Sequence, residues 1–385
     1  MDRALEKYLS SLEKFGINLG LERITGLLTN LGNPQQKLQA IHVAGTNGKG
    51  STCAMIAAIL KELGYKVGLY TSPHLLRYNE RFQINGREIS EPDLSAGIAA
   101  VKKAAAGLPQ KPTVFEVLTA VAFWYFAKKK VDFAVVEVGM GGRLDATNVI
   151  RPLVSVITNV ELEHTTVLGR TLAKIAVEKG GIIKPGVPVV TAESKAEALT
   201  VLTHQANIGG SSLVQVGIVG AGFITNLLGE HQKRNAACAV AAVLLAGISA
   251  DKKKIVAGLK KVRWPARFQV IRKKPLTIVD GAHNPAGVKT LVDTLGREYP
   301  GKKFVVIFGA QQDKEVTSML ALLRPLAKEM IITRSSHQQS SAMISSEKAL
   351  ELGSVLRQTA SCDRVICGSL FLAGDTIKIL AQKGR

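Results

Sequence analysis

The chain has 385 residues, of which 46% are hydrophobic and 21% are charged, which indicates a globular protein with a sizeable core and excludes a largely disordered one. Its net charge of +20 at pH 7 favours anionic partners such as nucleotides, acidic small molecules or nucleic acid. The length suits two domains of about 100–200 residues each. The break in pattern at Trp264-Pro265 predicts domains at residues 1–262 and 263–385.

Cysteine usage and hydropathy indicate a cytoplasmic protein. The cysteines at positions 53, 238, 362 and 367 show no CxxC spacing, which favours free thiols in a reducing compartment over disulfides or zinc. The N-terminal sequence lacks the apolar core of a signal peptide, and the longest apolar stretch, residues 236–250, is too short to span a membrane. We therefore expect no membrane partner, and we expect a monomer.

In chain order, apolar residues at helical spacing first predict a helix over residues 2–14. An apolar strand ending at Ala44 leads into a glycine-rich turn, a helix at about 51–63 and a strand at 66–70. This strand–helix–strand unit predicts a mostly parallel sheet. A hairpin centred on Asn85-Gly86 and helices at 91–106 and 114–129 follow.

The glycine-rich turn has the features of a phosphate site. Glycines let backbone N–H groups curl around an oxyanion, and the N-terminus of the next helix favours negative charge. The spacing departs from G-x-x-x-x-G-K-[ST], because Val43 stands at the first glycine and Gly50 separates Lys49 from the hydroxyls. A turn of this kind can simply reverse the chain, but its place between strand and helix favours phosphate binding. The segment is Gly45-Thr46-Asn47-Gly48-Lys49-Gly50-Ser51-Thr52.

Polar residues follow other predicted strands, where open α/β sheets bind ligands. One such segment is 71–80, and another, 158–164, follows a strand at 153–157. Glu137 lies near the end of the strand at 131–138, and we interpret it as a metal ligand rather than a solvent-facing acid. For His164, a site role and a structural role remain equally open, with Glu163 and a lysine-bearing helix containing Lys179 nearby in sequence.

The remaining chain continues the alternation of strands and helices. Helices are predicted at 233–247 and 251–261, with Asp251 as an N-cap. Strands are expected near 268–272, 276–280, 303–309, 329–333 and 363–366. The turn from Asp280 to Pro285 precedes a helix, with Asn284 at the N-cap and Pro285 at the first helical position. The Ser/Gln-rich stretch 335–346 is predicted to be a mobile loop.

Several separated motifs together resemble the folylpolyglutamate synthase/dihydrofolate synthase family, part of the wider Mur-ligase-like group. The resemblance runs from residues 19–23 to 368–370, and the unusual spacing of the glycine turn is this family's own form. The motifs are Thr46-Asn47-Gly48-Lys49-Gly50-Ser51, Ser72-Pro73-His74-Leu75, Arg77-Tyr78-Asn79-Glu80-Arg81, the segment 137–148 and the segment 280–285.

The resemblance implies a P-loop-type, mostly parallel sheet domain with flanking helices, followed by a smaller Rossmann-like α/β domain. It implies ATP-dependent addition of L-glutamate to dihydropteroate, to the γ-carboxylate of a folate, or to both, through an acyl phosphate. ATP and Mg²⁺ would be required, with a monovalent cation such as K⁺ as a further candidate. The partners would be small molecules, with no specific nucleic acid.

The resemblance also assigns roles to individual residues. Residues 45–52 would bind ATP, with Lys49 catalytic. Ser72, Glu137 and His164 would hold Mg²⁺, and His164 would also be catalytic. Lys179 matches a lysine that the family carbamylates, and it would be catalytic. Further nucleotide contacts across a domain cleft would come from Asn235, Arg267, Asp280 and His283, and substrate contacts from Arg81 and His74.

The chain departs from the family pattern at three positions. Glu163 stands where the family usually has Asp before the metal histidine. Gly180 replaces an alanine after the carbamylated lysine, and Ala266 replaces a glycine before Arg267. We expect these changes to be tolerated.

Two alternatives remain open at this point. The charge of +20 is compatible with a nucleic-acid-binding NTPase, whose binding would fall steeply with salt. A Mur-type ligase acting on a cell-wall precursor is the second, although the segment from Ser72 to Arg81 disfavours it. The residues do not decide whether the enzyme uses dihydropteroate, folates or both.

Overall fold

The computed structural model describes residues 3–218, 223–311, 315–336 and 349–382. The described residues divide into two compact units. The first comprises the residues up to Asn226 together with Gln232–Val262, and the second comprises Leu227–His231 together with the residues from Arg263 onward. The roles predicted for the two domains stay predictions.

The first unit contains an eight-stranded sheet with the order β4-β3-β2-β5-β1-β6-β7-β8. The pairs β2–β3 and β3–β4 are antiparallel and the others are parallel. The strands are β1 (Ala40–Ala44), β2 (Val67–Tyr70), β3 (Phe82–Ile84), β4 (Arg87–Glu88), β5 (Phe133–Glu137), β6 (Val154–Ile157), β7 (Val189–Thr191) and β8 (Leu213–Gln215).

Helices cover this sheet, and every residue of β1, β2, β5 and β6 is buried. Continuous apolar strands are typical of parallel sheets that are covered on both faces. The helices are α1 (Arg3–Leu12), α2 (Glu22–Asn30), α3 (Lys49–Glu62), α4 (Glu91–Ala105), α5 (Val114–Lys128), α6 (Thr165–Leu168), α7 (Leu172–Gly180), α8 (Ala196–Ile208), α9 (Glu230–Leu245) and α10 (Lys252–Lys261).

The second unit contains a six-stranded sheet with the order β13-β12-β11-β14-β10-β9, in which β9 and β10 are antiparallel and the other pairs are parallel. The strands are β9 (Gln269–Lys273), β10 (Leu276–Val279), β11 (Phe304–Phe308), β12 (Ala327–Arg334), β13 (Leu350–Glu351) and β14 (Arg364–Cys367). The helices are α11 (Pro285–Glu298), α12 (Val316–Leu323), α13 (Leu352–Gln358) and α14 (Leu370–Gln382).

Side-chain caps fix where several helices begin. The Thr113 hydroxyl accepts a hydrogen bond from the Glu116 N–H (3.2 Å), while the Glu116 carboxylate accepts one from the Thr113 N–H (2.6 Å), which forms a capping box. Asp251 caps α10 by accepting from the Lys253 N–H (2.9 Å), and Asn284 caps α11 by accepting from the Gly287 N–H (2.8 Å). The predicted caps at Asp251 and Asn284 are confirmed.

The predicted α/β fold class, with two mostly parallel sheets and flanking helices, is confirmed. Helix α2 and the elements from β7 to β8 were not predicted, although the buried residues Ala198, Leu202 and Ala206 of α8 have helical spacing. Of the predicted loop 335–346, residues 337–346 lie outside the described residues. All four cysteines are free. In the described part of the chain, no helix is long and apolar enough to cross a membrane.

Candidate active site

The glycine turn, residues 45–52, joins β1 to α3 in the middle of the first sheet, and we call it the phosphate loop. Gly45 (φ +146°) and Gly48 (φ +85°) both have backbone angles that favour glycine. Gly48 is the N-cap residue of α3, and no side chain caps the first turn of that helix within the described residues. An uncapped helix N-terminus in a glycine turn presents backbone N–H groups to an anion.

The segment after β6 holds the phosphate loop from one side. The Thr158 hydroxyl donates to the Asn47 carbonyl (2.7 Å), and the Asn47 N–H donates to Asn159 Oδ1 (2.9 Å). The Thr46 N–H donates to the Asn159 carbonyl (3.0 Å). A Cβ at Gly45 would lie 1.8 Å from Thr158 Oγ1, so a larger residue cannot fit there without displacing the threonine.

Helix α9 supports the phosphate loop from another direction. Gln232 Nε2 donates to Ser51 Oγ (3.3 Å), and Asn235 Nδ2 donates to Gln232 Oε1 (3.0 Å). A Cβ at Gly48 would lie 2.4 Å from Asn235 Oδ1. Asn235 therefore lies beside the phosphate loop, and its nucleotide contact stays a prediction.

Lys49, the first residue of α3, folds its side chain back over the loop. Its ammonium donates to the carbonyls of Gly45 (2.9 Å) and Thr46 (3.0 Å). These bonds hold the cation above the turn whose N–H groups favour an anion, so a phosphate bound there would meet a fixed positive charge.

Helix α10 packs directly against α3. A Cβ at Gly258 in α10 would lie 2.7 Å from the Ile59 Cα in α3, so the two backbones approach closely only because this residue is glycine. Lys261 at the end of α10 forms an ion pair with Glu62 (2.8 Å).

The strand order brings Ser72 and Glu137 together. Strands β2 and β5 are neighbours, with Tyr70 opposite Val136, so the residues just beyond the two strand ends are adjacent. The Ser72 N–H donates to Glu137 Oε2 (2.9 Å), and Glu137 is only 4% exposed. A buried carboxylate bonded to the backbone of a serine brings together two residue types whose side-chain oxygens suit Mg²⁺.

His164 immediately precedes α6 and has a left-handed backbone conformation (φ +49°), which is uncommon for a residue other than glycine and is enriched at functional sites. In the described part of the chain, no group of three or more His, Cys, Asp or Glu side chains is arranged to hold a metal. The predicted set differs from such a group because it combines one serine, one glutamate and one histidine.

Lys179 lies near the end of α7 and is 3% exposed. The chain after β5 is packed against this helix end, since the Arg143 N–H donates to the Glu178 carbonyl (2.7 Å) and a Cβ at Gly142 would lie 2.7 Å from that oxygen. Burial, with a smaller effect from the Lys49 charge, lowers the pKa of Lys179 to about 7, while Glu163 opposes this shift. The lysine is therefore partly neutral near pH 7.

The segment from Ser72 to Arg81 is held by its own acidic and basic residues. The Glu80 carboxylate accepts from the N–H groups of residues 75, 76 and 77 at 2.7–2.9 Å. Arg81 Nε donates to His74 Nδ1 (2.9 Å), so the ring proton of a neutral His74 lies on Nε2. Burial lowers the pKa of Arg81 from its ordinary value. The two predicted substrate residues are therefore in direct contact.

In the second unit, the predicted site residues Arg267, Asp280 and His283 cluster around the start of α11. Asp280 accepts from the N–H groups of Phe268 (2.7 Å) and Ala282 (2.8 Å). Arg267 Nη1 donates to the Ala266 carbonyl (3.0 Å), and His283 Nδ1 lies 2.9 Å from the Gly281 carbonyl. Their nucleotide roles stay predictions.

The departures from the family pattern have local consequences. Ala266 has a φ of +54°, so it adopts a left-handed conformation that glycine would adopt at lower cost. A Cβ at Gly180 would lie 1.8 Å from Gln205 Oε1, so the glycine leaves room for that amide.

Several residues that hold the site were not recognised from the sequence. Thr158 and Asn159 lay in a polar segment after a strand, but nothing in the sequence linked them to the phosphate loop more than 100 residues earlier. The same is true of Gln232, whose bond to Ser51 spans 181 positions. Polar residues at the carboxyl ends of parallel strands were the available signal.

Comparison with known proteins gives matches along both units. The Mur ligase middle domain matches residues 43–209, and the Mur ligase glutamate ligase domain matches residues 266–377. The dihydrofolate synthase/folylpolyglutamate synthase of Bacillus subtilis (strain 168) is 39% identical over 348 residues, which is 82% of this chain and 80% of the relative.

Two solved structures are similar over almost the whole chain. Escherichia coli FolC, in a complex with DHPP and ADP, has a TM-score of 0.89 and 29% identity, covering 99% of this chain and 98% of that one. Mycobacterium tuberculosis folylpolyglutamate synthase, complexed with ADP and AMPPCP, has a TM-score of 0.89 and 31% identity, covering 98% of each chain.

Proposed function

The chain belongs to the folylpolyglutamate synthase/dihydrofolate synthase family and is an ATP-dependent ligase that adds glutamate to folates, and from this premise we propose a role for each part of its site. The observation that carries the proposal is the uncapped start of α3 with Lys49 folded over the loop. We propose that both dihydropteroate and folates are acceptors, because the Bacillus subtilis relative is named for both activities.

The chemistry requires a carboxylate to become an electrophile. One acceptor carboxylate oxygen attacks the γ-phosphorus of ATP, the bond to the β-γ bridging oxygen breaks, and ADP leaves. The glutamate amine then attacks the acyl carbon, the acyl C–O bond breaks, and inorganic phosphate departs with that oxygen as the amine loses its proton. Backbone donors and the Lys49 cation stabilise the transferring phosphoryl group, because they are fixed before the reaction.

Ser72, Glu137 and His164 would hold Mg²⁺, which fits the buried carboxylate of Glu137 and the Ser72–Glu137 contact. A bound Mg²⁺ would neutralise phosphate charge during transfer. The monovalent cation stays a prediction.

Lys179 would become an anionic ligand by carbamylation, as the family resemblance implies. The neutral amine nitrogen bonds to the carbon of CO₂ and loses one proton to water, which leaves a carbamate. The lowered pKa of about 7 supports this role, because burial keeps much of the amine neutral at physiological pH. A carbamate would also balance the nearby positive charge of Lys49.

Arg81 and His74 would contact the acceptor, with the Arg81–His74 bond fixing the orientation of both side chains. Residues 45–52 would bind the triphosphate. Asn235, Arg267, Asp280 and His283 would contribute further nucleotide contacts. We propose a monomeric, cytoplasmic enzyme that acts on small molecules without a nucleic-acid or membrane partner.

The test is ADP release by the purified protein in assays that omit one component at a time. Release should require ATP, L-glutamate and a pterin acceptor, and it should occur with dihydropteroate and with mono- and diglutamyl tetrahydrofolate. ADP release with folates but not with dihydropteroate would refute the proposed dihydropteroate activity. Release that ignores glutamate and acceptor would refute the assigned ligase site.

A further inference from the structure

The turn between β7 and α8, residues 192–195, lies about 150 positions beyond the phosphate loop in sequence, yet hydrogen bonds connect the two. We propose that Glu193 is a positioning residue for ATP, which acts through the segment after β6 without touching the nucleotide. The inference rests on the phosphate role proposed for residues 45–52.

Glu193 is 1% exposed, and its carboxylate accepts three backbone hydrogen bonds. Two come from its own turn, from the N–H groups of Ser194 (2.8 Å) and Lys195 (2.7 Å). The third comes from the N–H of Val160 (2.5 Å), which follows the neighbouring strand β6. An ionised carboxylate can accept all three, whereas an amide has only one acceptor oxygen.

Lys195 strengthens the same connection. Its ammonium donates to Glu161 Oε1 (2.6 Å) and to the Val160 carbonyl (3.0 Å). The N–H and the carbonyl of Val160 are therefore both bonded to the β7–α8 turn. Pairing of Ile157 with Thr191 aligns the ends of β6 and β7, which explains why residues two or three positions further on can meet.

On its other side, the segment after β6 binds the phosphate loop. The Glu161 N–H donates to Thr46 Oγ1 (2.9 Å), and the Thr46 hydroxyl donates to the Glu161 carbonyl (3.3 Å). Thr46 lies between Gly45 and the start of α3. A continuous path therefore runs from Glu193 through Val160 and Glu161 to Thr46.

This path matters because the bonds from Lys49 to the Gly45 and Thr46 carbonyls are supplemented by bonds from other parts of the chain. The glycines of the phosphate loop permit many backbone conformations, and no side chain caps the first turn of α3 in the described residues. Hydrogen-bond donors bind an anion best when their geometry is fixed in advance. A buried carboxylate that fixes Val160 would therefore raise ATP affinity from a distance.

The first test compares kinetic constants of the full-length wild type and Glu193→Gln. The variant keeps the shape, but its NH₂ group faces a backbone N–H donor, so at least one bond is lost. Loss of a charged hydrogen bond predicts a rise of about tenfold in KM for ATP, with KM for glutamate changed less than about twofold. The matched control is Glu351→Gln, because Glu351 also accepts two backbone N–H bonds, from Gly353 and Ser354, at the start of α13. The control should leave KM for ATP unchanged.

A second set of variants excludes a purely structural effect and covers the case in which Glu193→Gln fails to fold. Lys195→Met alters a side chain that is 37% exposed, and it should raise KM for ATP in the same direction. Thr46→Val should also raise it, and Thr46→Ser, which keeps the hydroxyl, should restore it. Because Glu193 and Thr46 act along one path, Glu193→Gln combined with Thr46→Val should raise KM by less than the product of the single effects.

Unchanged KM for ATP in folded Glu193→Gln and Lys195→Met variants, with an active wild type, would overturn the assignment of Glu193. An equal rise in KM for ATP in the Glu351→Gln control would overturn it as well. So would a double variant whose rise in KM equals the product of the two single effects. A wild type with no ATP-dependent turnover would instead refute the proposed function, and the assignment would fall with it.

Discussion

The turn between β1 and α3 and the turn between β10 and α11 both lead from a buried strand into a helix, but they are held in different ways. The second turn is capped by its own residues, since Asn284 accepts from the Gly287 N–H and Asp280 accepts from the Ala282 N–H. The first turn has no side-chain cap, and its supports, Thr158, Asn159 and Gln232, come from distant parts of the chain.

The difference indicates what each turn is built to do. At the start of α11, Asn284 occupies the Gly287 N–H and Pro285 has no N–H, so this helix offers fewer donors to a ligand than an uncapped helix does. The first turn is held through the N–H groups of Thr46 and Asn47, the Asn47 carbonyl and the hydroxyls of Thr46 and Ser51. None of these bonds uses a backbone N–H group of α3, so they fix the turn and leave the position at the helix start to an anion. The first turn therefore suits phosphate binding, and the second turn suits the placement of side chains such as Asp280 and His283.

The largest expected effect comes from removing the cation of the first turn. Lys49→Ala should reduce ligation by about 10²–10³-fold, because a fixed charge at the transferring phosphoryl group is lost, while the fold is retained. Steady-state ADP release and circular dichroism would check both parts. The control is Lys61→Ala at the other end of α3, where the side chain bonds only to the Asn85 carbonyl among its described partners. Wild-type turnover by Lys49→Ala would show that Lys49 does not stabilise the transferring phosphoryl group.

The charge environment of the first turn also predicts a pH dependence. With a pKa of about 7, Lys179 becomes protonated below that pH, so carbamylation and ligation should fall about tenfold for each further pH unit. In the unfolded chain, Lys179 stays protonated up to its ordinary pKa of 10.5. Between about pH 7 and 10.5 the unfolded chain therefore binds more protons than the folded protein, so this lysine makes the free energy of unfolding rise with pH. That gain is lost as pH falls to about 7.

A pH–rate profile and ¹³C NMR with labelled bicarbonate would test this prediction. Lys49→Ala should shift the carbamylation midpoint upward, since the Lys49 charge helps lower the Lys179 pKa. Lys179→Met should remove the carbamate signal and the stability slope. A carbamylation midpoint near pH 10.5 in the wild type would contradict the conclusion that Lys179 is partly neutral near pH 7.

The third prediction tests the geometry of the first turn. Gly48→Ala should raise the Kd for ATP at least about tenfold, because the left-handed backbone costs about 1–2 kcal/mol and the new Cβ meets Asn235. Gly247→Ala is the matched control, since Gly247 has a similar φ of +74° but nothing within 4 Å of a Cβ. Isothermal titration would show the contrast, and equal ATP affinities in the two variants would count against the packed loop.

The fourth prediction concerns the second turn. Asn284→Ala should lower the free energy of unfolding by about 1 kcal/mol, the usual cost of losing an N-cap. Urea titration measures this change. A cost near zero would mean that Asn284 does not hold the turn, and the contrast with the first turn would weaken.

The smallest effect is expected at Ala266, which precedes the second turn. Ala266→Gly should stabilise the protein by about 0.5–1 kcal/mol, because glycine relieves the left-handed strain but loses more entropy on folding. Ala321→Gly in α12 should instead destabilise by about 1 kcal/mol, since it places glycine at an exposed position inside a helix. Destabilisation by both variants would argue against strain at Ala266.

Sequence patterns predicted what is determined locally. The alternation of strands and helices predicted a mostly parallel α/β fold. Asn284 and Pro285 predicted the start of α11, because caps depend on neighbouring residues. The strand order was not predictable, because it depends on crossovers that no local pattern records. The supports of the phosphate loop at Thr158 and Gln232 were missed for the same reason, and Asn235 was identified only through the family resemblance.

The chemistry of Lys179 shows the same limit. Its position on a helix was evident from the sequence, but its lowered pKa depends on burial and on Lys49, which lies 130 positions earlier in the chain. Such a shift arises from tertiary packing and cannot be inferred from spacing.

The central claim is that the phosphate loop directs phosphoryl transfer to an acceptor carboxylate. Its most direct test uses tetrahydrofolate or dihydropteroate with ¹⁸O in the reacting carboxylate, turned over with ATP and L-glutamate. The account predicts that one ¹⁸O atom appears in inorganic phosphate for each amide bond formed. Phosphate released without the label during amide formation would contradict it.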